Sequence, residues 1–187
     1  MQDKKRCFKV KKRCCVSNIE WGNAAVCDNF NIRFAERKDT GLILQLIREL
    51  AEYEKLPHEV TADEKMLEES LFDRKDAEVI IAEYDNIPVG YALFFHNFST
   101  FLGKRGLYLE DLYIRPEYRG RGFGKKLFAF LANLALERNC GRMEWSVLDW
   151  NRPSIDFYKS LGARPMDEWT VYRLTGDALW NLADKLK

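Results

Sequence analysis

The sequence has none of the long apolar runs that mark membrane-spanning helices. Hydrophobic residues make up 47% of the 187 positions, but no stretch approaches the roughly 18 consecutive apolar residues of a span. No apolar segment follows the basic residues at the start, so a secretory signal peptide is not expected. We therefore expect a cytoplasmic protein without a membrane partner, and its length suits one folded domain.

Side chains that bind metals are also scarce. The chain has two histidines, and its five cysteines include no Cys-x-x-Cys pair, which argues against a zinc site. We expect no metal cofactor. An odd number of cysteines in a reducing compartment indicates free thiols. The two histidines, His58 and His96, match no catalytic pattern.

Charge is distributed unevenly along the chain. Residues 1–28 hold seven Lys or Arg against three Asp or Glu, whereas residues 29–187 hold 23 against 26. The first segment shows neither helical nor strand periodicity, and we expect a disordered basic extension that is dispensable for folding. Residues 29–187 are expected to form the domain. Their mildly acidic balance favours a small cationic substrate over nucleic acid.

Hydrophobic periodicity predicts strands and helices of an α/β fold. A strand at 30–34 precedes a helix that begins at Asp39 or Thr40 and carries an apolar face. A capping box at 61–64 is expected to open a second helix. Strands follow at 78–84, 87–96 and 106–114, the first two joined by a hairpin turn at Asp85 and Asn86.

The second half of the chain alternates helices and strands. A glycine-rich turn at 120–124 leads into a helix that ends near 139–141, and a strand follows at 144–148. A short helix at 153–161 stops at Gly162, a late strand is expected at 169–174, and a last helix at 177–186. A crossover helix joins parallel strands, so the sheet is expected to be mixed, with a parallel pair around the glycine turn.

The stretch from 107 to 126 carries the strongest chemical signal. A buried strand, a glycine turn and a helix start follow one another, and alternate glycines from 120 to 124 let the backbone approach a ligand closely. The helix start presents free N–H groups and the positive end of its dipole. Four side chains add positive charge: Arg119, Arg121, Lys125 and Lys126. Together these features predict a pyrophosphate-binding loop.

The sequence lacks residues that two common phosphate-binding loops require. A P-loop needs glycine five residues before Gly124, where Arg119 stands, and Ser or Thr in place of Lys126. A dinucleotide-binding fingerprint that begins at Gly120 needs glycine at the position of Lys125.

The segment Arg119-Gly120-Arg121-Gly122-Phe123-Gly124 instead resembles the loop with which the GNAT superfamily of acetyltransferases holds the pyrophosphate of coenzyme A. A second segment, from Asn151 through Tyr158 to Gly162, resembles the one in which an asparagine and the helix after it contact the coenzyme arm. Within the superfamily, Leu-Tyr-Leu-Glu-Asp at 107–111 and Tyr53-Glu54 resemble the spermidine/spermine (diamine) and thialysine N-acetyltransferases.

This resemblance covers about residues 30–180. It implies a mixed, mostly antiparallel sheet that is splayed around the coenzyme A arm and flanked by helices. It also implies a homodimer and direct acetyl transfer from acetyl-coenzyme A to a primary amine of a small substrate. The residues that it assigns to the coenzyme are Leu112, Tyr113, Ile114, Arg119, Gly120, Arg121, Gly122, Phe123, Gly124, Lys125, Asn151, Ser154 and Tyr158.

Tyr158 is the expected general acid. Acyl transfer to an amine expels a thiolate, and a tyrosine with an ordinary pKa of ~10 stays protonated at neutral pH and can donate to it. Spacing alone would make Tyr158 a core residue of an amphipathic helix. Its position in the second GNAT-like segment favours the catalytic role.

Carboxylates at apolar positions are the candidates for the substrate site. Glu110 and Asp111 interrupt an apolar strand, where burying a carboxylate is costly unless it is paired or functional. Alternation places the two on opposite faces unless the strand bulges. We expect Glu110 to hold the amine or relay its proton, and the alternative is a strand-end ion pair. Tyr53 and Glu54 are further candidates for the substrate site. Glu54 could bind a second ammonium or lie at a frayed helix end, and Glu144 is a weaker candidate.

Three other functions stay open, namely acetylation of protein N-termini or lysines, a coenzyme A-binding regulatory domain, and nucleic-acid binding through the basic tail.

The substrate preference depends on the loop before the Leu-Tyr-Leu-Glu-Asp strand. Polyamine-acetylating relatives carry Asp-Pro-Trp there, whereas Ser99 replaces the acid in this chain, which resembles the thialysine-acetylating branch. We therefore expect thialysine, ornithine-like amino acids or short diamines to be preferred over spermine, with Lys104 or Arg105 pairing a substrate carboxylate.

Overall fold

The computed structural model describes residues 29–186, and the chain falls into two units that meet between Ser146 and Val147. The basic extension predicted at 1–28 lies outside the described residues. Within 29–186 no helix has both the length and the hydrophobicity needed to cross a membrane.

The first unit is built on five strands that pair in chain order: β1 (Phe30–Phe34), β2 (Glu78–Tyr84), β3 (Ile87–Ser99), β4 (Lys104–Ile114) and β5 (Met143–Trp145). The pairs from β1 to β4 are antiparallel, and β4 pairs with β5 in parallel. The mixed, mostly antiparallel sheet is therefore confirmed, with its parallel pair around the glycine turn as predicted.

Helices connect β1 to β2 and β4 to β5. They are α1 (Thr40–Tyr53), α2 (Glu64–Glu68), which continues as a π-helical turn at Glu69–Arg74, and α3 (Phe123–Glu137). Short 3-10 turns lie at Arg37–Asp39, Pro57–Glu59 and Pro116–Tyr118. On the predicted apolar face of α1, Ile43 and Leu46 are fully buried, and Ile47 and Leu50 are partly buried.

The two faces of the sheet pack against different helices. On one face, which we call the α1 face, Ile43 and Leu46 of α1 pack with Ile81, Tyr91 and Tyr113 of the strands. Burial of each large apolar side chain stabilises the fold by roughly 1.5–3 kcal/mol. The other face packs against α3, where Phe123 stacks on Phe30 of β1 with ring centroids 4.3 Å apart.

The predicted hairpin turn between β2 and β3 is present. Asp85 and Asn86 have φ angles of 53° and 62°. Two consecutive positive φ angles are typical of the tight turns whose twist matches antiparallel strands, and Asn and Asp tolerate them better than most residues.

Several predicted boundaries in the first unit are wrong. β3 continues to Ser99 instead of ending at 96, and β4 begins at Lys104 instead of 106, because the two strands pair up to the turn that joins them. The cap of α2 is Asp63, whose side chain accepts a hydrogen bond of 2.8 Å from the Met66 backbone N–H, so the helix starts two residues later than a capping box at Thr61 requires. A carboxylate fits this role as well as a hydroxyl. β5 is also shorter than expected and ends at Trp145, because its ladder with β4 covers three residue pairs.

The second unit contains α4 (Arg152–Ser160), α5 (Gly176–Ala183) and a 3-10 turn at Asp184–Leu186. Gly162, with φ of +85°, follows the end of α4 as predicted. The strand predicted at 169–174 is wrong, since no ladder forms there among the described residues. Apolar alternation permits a strand, but a strand exists only where a second backbone edge completes its hydrogen bonds.

Candidate active site

A β-bulge at Glu110 shapes the middle of β4. Leu93 of β3 lies opposite Asp111, whereas the next residue, Phe94, lies opposite Leu109, so Glu110 is an extra residue in the ladder. Strict alternation would put Asp111 on the side of Leu109, facing α3. The bulge turns Asp111 onto the α1 face instead, and Glu110 stays exposed.

Asp111 meets two polar groups on the α1 face. The hydroxyl of Tyr91, a fully buried residue of β3, donates a hydrogen bond of 2.9 Å to its Oδ2. Glu54, the residue after α1, is close enough that the two carboxylates repel each other. We call Glu54, Tyr91 and Asp111 the acidic cluster. Sequence reasoning missed Tyr91, although a tyrosine in an apolar strand next to a carboxylate strand was a visible signal.

Burial raises the pKa of both carboxyl groups in this cluster. For Asp111 the cause is chiefly burial, with a smaller contribution from the charge of Glu110, and the Tyr91 hydrogen bond acts in the opposite direction. For Glu54 the pKa is raised by burial and by the charge of Asp111. Burial and the neighbouring carboxylates also raise the pKa of Tyr91 well above its ordinary value.

Neither Glu54 nor Asp111 forms an ion pair with another of the residues 29–186. Two partly desolvated carboxylates without a counter-ion are unfavourable, and a cation brought between them would relieve both the repulsion and the lost hydration. The acidic cluster is therefore suited to bind the ammonium group of an amine.

The sheet opens between β4 and β5 beside this cluster. Their ladder joins only Leu107–Leu109 to Met143–Trp145, and no strand of the described residues pairs with β4 on that side from Glu110 to Ile114. The backbone groups on this edge can therefore bind an extended ligand. Of the residues predicted to bind coenzyme here, Tyr113 and Ile114 have buried side chains. Because the Arg115 N–H donates to the Val89 carbonyl, strand alternation turns the backbone groups of Tyr113 toward β3 and those of Leu112 and Ile114 toward the open edge.

The glycine loop follows this open edge and leads into α3. Gly120 and Gly122 have φ angles of 75° and 79°, in the left-handed region that favours glycine, and Gly122 caps the helix. A Cβ atom at Gly120, Gly122 or Gly124 would meet nothing within 4 Å. The loop backbone is therefore open on the side where side chains would stand, and the first N–H groups of α3 have no acceptor within the helix.

Aromatic rings hold the arginines of this loop. The guanidinium of Arg119 lies 4.4 Å from the ring centre of Tyr53, and its Nε donates a hydrogen bond of 2.8 Å to the Ile114 carbonyl. Arg121 lies over Tyr84 and Tyr118, at 5.5 and 5.6 Å. Arg119 thus joins the glycine loop to the residue that precedes Glu54.

Glu144 belongs to the same sheet face but to another network. It pairs with Tyr108 across the β4–β5 ladder, three positions before Asp111. Its carboxylate forms an ion pair of 2.8 Å with Arg142 and accepts a hydrogen bond of 2.8 Å from Asn97. Because Glu144 already has these partners, it has less to gain from a substrate cation than Glu54 and Asp111.

Asn151, Ser154 and Tyr158 lie in the second unit, at the start and within α4. Asn151 caps the helix, and its side chain accepts a hydrogen bond of 3.4 Å from the Ser154 backbone N–H. Tyr158 lies in the middle of α4, and its carbonyl accepts a hydrogen bond from the Ala163 N–H beyond the helix end. The predicted spacing of Asn151, Tyr158 and Gly162 thus corresponds to a cap, a helix body and a helix stop.

Residues 43–163 match the family model described as the acetyltransferase (GNAT) family. The chain belongs to this family of acyltransferases. Among the residues 29–186, no group of three or more His, Cys, Asp or Glu side chains could hold a metal ion.

Three relatives extend the comparison. A thialysine N-epsilon-acetyltransferase of Bos taurus is 42% identical over 166 residues, which cover 82% of this chain and 97% of the relative. An L-ornithine N5-acetyltransferase of Arabidopsis thaliana is 47% identical over 102 residues, or 54% of this chain and 44% of the relative. The crystal structure of a predicted acetyltransferase with acetyl-CoA from Clostridium acetobutylicum is 27% identical, with a TM-score of 0.64, and covers 78% of this chain and 96% of that one.

Proposed function

We propose that this GNAT protein transfers an acetyl group from acetyl-coenzyme A directly to a primary amine of a small substrate. The observation that carries the proposal is the acidic cluster of Glu54, Tyr91 and Asp111, which lies beside the open edge of β4. The open edge of β4 suits the coenzyme arm that carries the thioester, and the acidic cluster suits a cationic acceptor.

The donor would be held mainly by backbone groups. The open edge of β4 at Leu112, together with the Ile114 N–H, offers hydrogen bonds to an extended pantetheine arm, whereas Tyr113 would act through its packing because its backbone groups face β3. The glycine loop and the N–H groups at the start of α3, from Phe123 to Lys125, offer donors to a pyrophosphate, which the positive end of the helix dipole also attracts. Phe123 would contribute only its backbone, because its side chain is buried against Phe30.

The acceptor amine must lose a proton before it can attack. An alkyl ammonium has a pKa near 10.4, so at neutral pH it arrives charged. Asp111 and Glu54 would attract the ammonium, and the exposed carboxylate of Glu110, at the bulge, would take its proton through water. The free amine then attacks the thioester carbonyl, the C–S bond breaks, and the acetyl group passes to nitrogen without a covalent enzyme intermediate. The nitrogen, positively charged after attack, releases its second proton to water and becomes the amide.

The leaving thiolate needs a proton as well. We propose Tyr158 as the donor, on the basis of its place in the segment from Asn151 to Gly162 that matches the family pattern. Asn151 and Ser154 are proposed to contact the coenzyme arm on the same basis.

Short amines are the proposed substrates, including thialysine-like amino acids, ornithine-like amino acids and diamines, with polyamines less preferred. The relatives at 42% and 47% identity are named for thialysine and ornithine. Ser99 stands where polyamine-acetylating relatives have an aspartate, and it offers no carboxylate to a distal ammonium group. It is buried at the end of β3, and its Oγ accepts a hydrogen bond of 3.3 Å from the Leu102 N–H. The acids of the cluster suffice for one or two ammonium groups.

A thiol-release assay across an amine panel tests this proposal. We expect acetyl-coenzyme A to be consumed with thialysine, ornithine and short diamines, and more slowly with spermine. Release only with peptides would favour a protein acetyltransferase, and coenzyme A binding without release on any amine would favour a regulatory domain. As a control for the loss of a carboxylate from the acidic cluster, Glu59→Gln removes an exposed carboxylate near the end of α1, outside the cluster. This variant should release thiol at the wild-type rate.

A further inference from the structure

An open cavity of about 500 Å³ lies at the far end of the β3–β4 hairpin, away from the acidic cluster. It is lined by Phe98, Gly103, Lys104, Arg105, Arg138 and Asn139. Arg105 pairs with Phe98 in the ladder, and Arg138 and Asn139 come directly after α3. The cavity is therefore formed where the start of β4 meets the end of α3.

The wall of this cavity is strongly basic. Arg138 forms an ion pair with Glu78 of β2, in which Nη2 lies 2.7 Å from Oε2. Lys104 Nζ donates a hydrogen bond of 3.2 Å to the side chain of Asn139, which leaves its charge unbalanced. The side chain of Arg105 has no hydrogen-bond or ion-pair partner among the residues 29–186. Glu78 thus balances Arg138, to which Glu137 adds a weaker attraction, whereas the charges of Lys104 and Arg105 stay unbalanced.

His96 adds an unsatisfied polar atom to this basic group. It lies on the same sheet face as Phe94 and Phe98, and its Nε2 is buried without a hydrogen-bond partner among the described residues. Leaving a buried polar atom without a hydrogen-bond partner costs free energy, and such atoms are rare in folded proteins. Burial and the charges of Arg138 and Arg105 lower the pKa of His96, while Glu78 opposes them.

We propose that this cavity is a second ligand site, which binds the phosphate group of a small molecule through Arg105 and Lys104, and that His96, which responds to the charges of Arg105 and Arg138, senses the bound anion. A dianion matches the excess of two positive charges in the wall. The guanidinium of Arg105 presents a planar fork of donors that fits phosphate geometry, and the lysine adds a point charge.

The site is separate from both parts of the proposed reaction centre. Arg105 and Asp111 lie opposite Phe98 and Leu93, so five residues of β3, or about 17 Å, separate them along the sheet. The glycine loop lies at the other end of α3, whose 15 residues span about 22 Å. Arg105 also pairs with Phe98 on the α3 face, whereas Asp111 lies on the α1 face, so the proposed phosphate site is distinct from the predicted role of Lys104 and Arg105 as partners of a substrate carboxylate.

The two histidines of the chain make the proposal directly measurable by NMR. Inorganic phosphate is titrated into the full chain at constant ionic strength, and the pH titration of each imidazole is followed. We expect a saturable shift of the His96 resonance and a rise of its pKa with phosphate, because a bound anion offsets Arg105 and Arg138. His58, which is exposed and beside Glu59, is the internal control and should not change.

Two variants separate the site from general charge effects. Arg105→Gln removes an exposed side chain, so the fold should be kept, and we expect at least a tenfold weaker phosphate affinity. Arg74→Gln, an exposed arginine paired with Asp76 elsewhere, should leave the affinity unchanged. The proposal is wrong if the His96 shift does not saturate, or if Arg105→Gln and wild type respond alike. Neither readout depends on acetyl transfer, so this test and the amine panel fail independently.

Discussion

The hydroxyl of Tyr91 donates a hydrogen bond of 2.9 Å to Oδ2 of Asp111 across the β3–β4 pair. Both residues lie on the α1 face, and Asp111 is there because of the bulge at Glu110. The hydrogen bond favours the ionised form of a carboxyl group whose burial favours the protonated form. Tyr91 is thus the positioning residue of the acidic cluster, and the first predictions concern this pair.

Asp111→Asn should stabilise the protein at neutral pH while weakening the amine site. The folded state raises the pKa of Asp111 above its ordinary value of 3.8, so the folded protein binds more protons than the unfolded chain between these two pKa values. Stability therefore falls as pH rises through that window, and ionised Asp111 is a net cost above it. The asparagine should raise Tm at neutral pH, and this gain should vanish below the ordinary pKa.

The same variant should raise KM for the amine by roughly 10–150-fold, since a hydrogen bond to a charged group is worth about 1.5–3 kcal/mol. KM for acetyl-coenzyme A should stay the same. Thermal melts across pH and steady-state kinetics check both effects. An asparagine variant that is less stable than wild type at neutral pH contradicts the assignment of Asp111 as an uncompensated carboxylate.

Tyr91→Phe should move the acid limb of the kcat/KM profile to higher pH. Loss of the hydroxyl removes the hydrogen bond that lowers the pKa of Asp111, so protonation of this carboxyl sets in at higher pH and amine binding is lost sooner. Tyr108→Phe is the matched control, because its hydroxyl contacts Ser146 at 2.9 Å and not Asp111. If both variants shift the profile equally, Tyr91 has no special part in positioning Asp111.

Gly122→Val should abolish coenzyme A binding and leave a folded protein. The side chain would enter the open space over the glycine loop, and φ of 79° is unfavourable for a β-branched residue. Strain of this kind costs about 1–3 kcal/mol. Gly176→Val, also at positive φ with open space around it, carries similar strain away from the loop. Calorimetry with coenzyme A should show loss of binding in the first variant only.

Tyr158→Phe should reduce kcat by ~10²–10⁴-fold, the usual range for loss of a general acid, with little change in coenzyme A affinity. Tyr172→Phe, an exposed tyrosine of the same unit, is the control and should keep full activity. Rates with donors whose thiols have lower pKa values should be less affected, because a better leaving group needs less protonation. A Tyr158→Phe enzyme with near-wild-type kcat would refute the role.

Local sequence determined most of the elements and the glycine loop. The alternation at β1, the apolar face of α1 and the Asp85-Asn86 turn depend on neighbours in the chain, and so does the strand–turn–helix order around Gly120 and Gly122. Contacts within a few residues set these features, which is why periodicity and turn signals sufficed to predict them. The acetyltransferase family was indicated by the resemblance of the segments at 119–124 and 151–162 to its known motifs.

Tertiary structure alone decided where the carboxylates lie and which groups they contact. Whether Asp111 faces α1 or α3 depends on a one-residue shift of register against β3, and register is set by packing between strands distant in sequence. The same holds for the hydrogen bond from Tyr91, the approach of Glu54 and the ion pair that occupies Glu144. The predicted strand at 169–174 is wrong for the same reason, since a strand requires a partner that its own sequence does not supply.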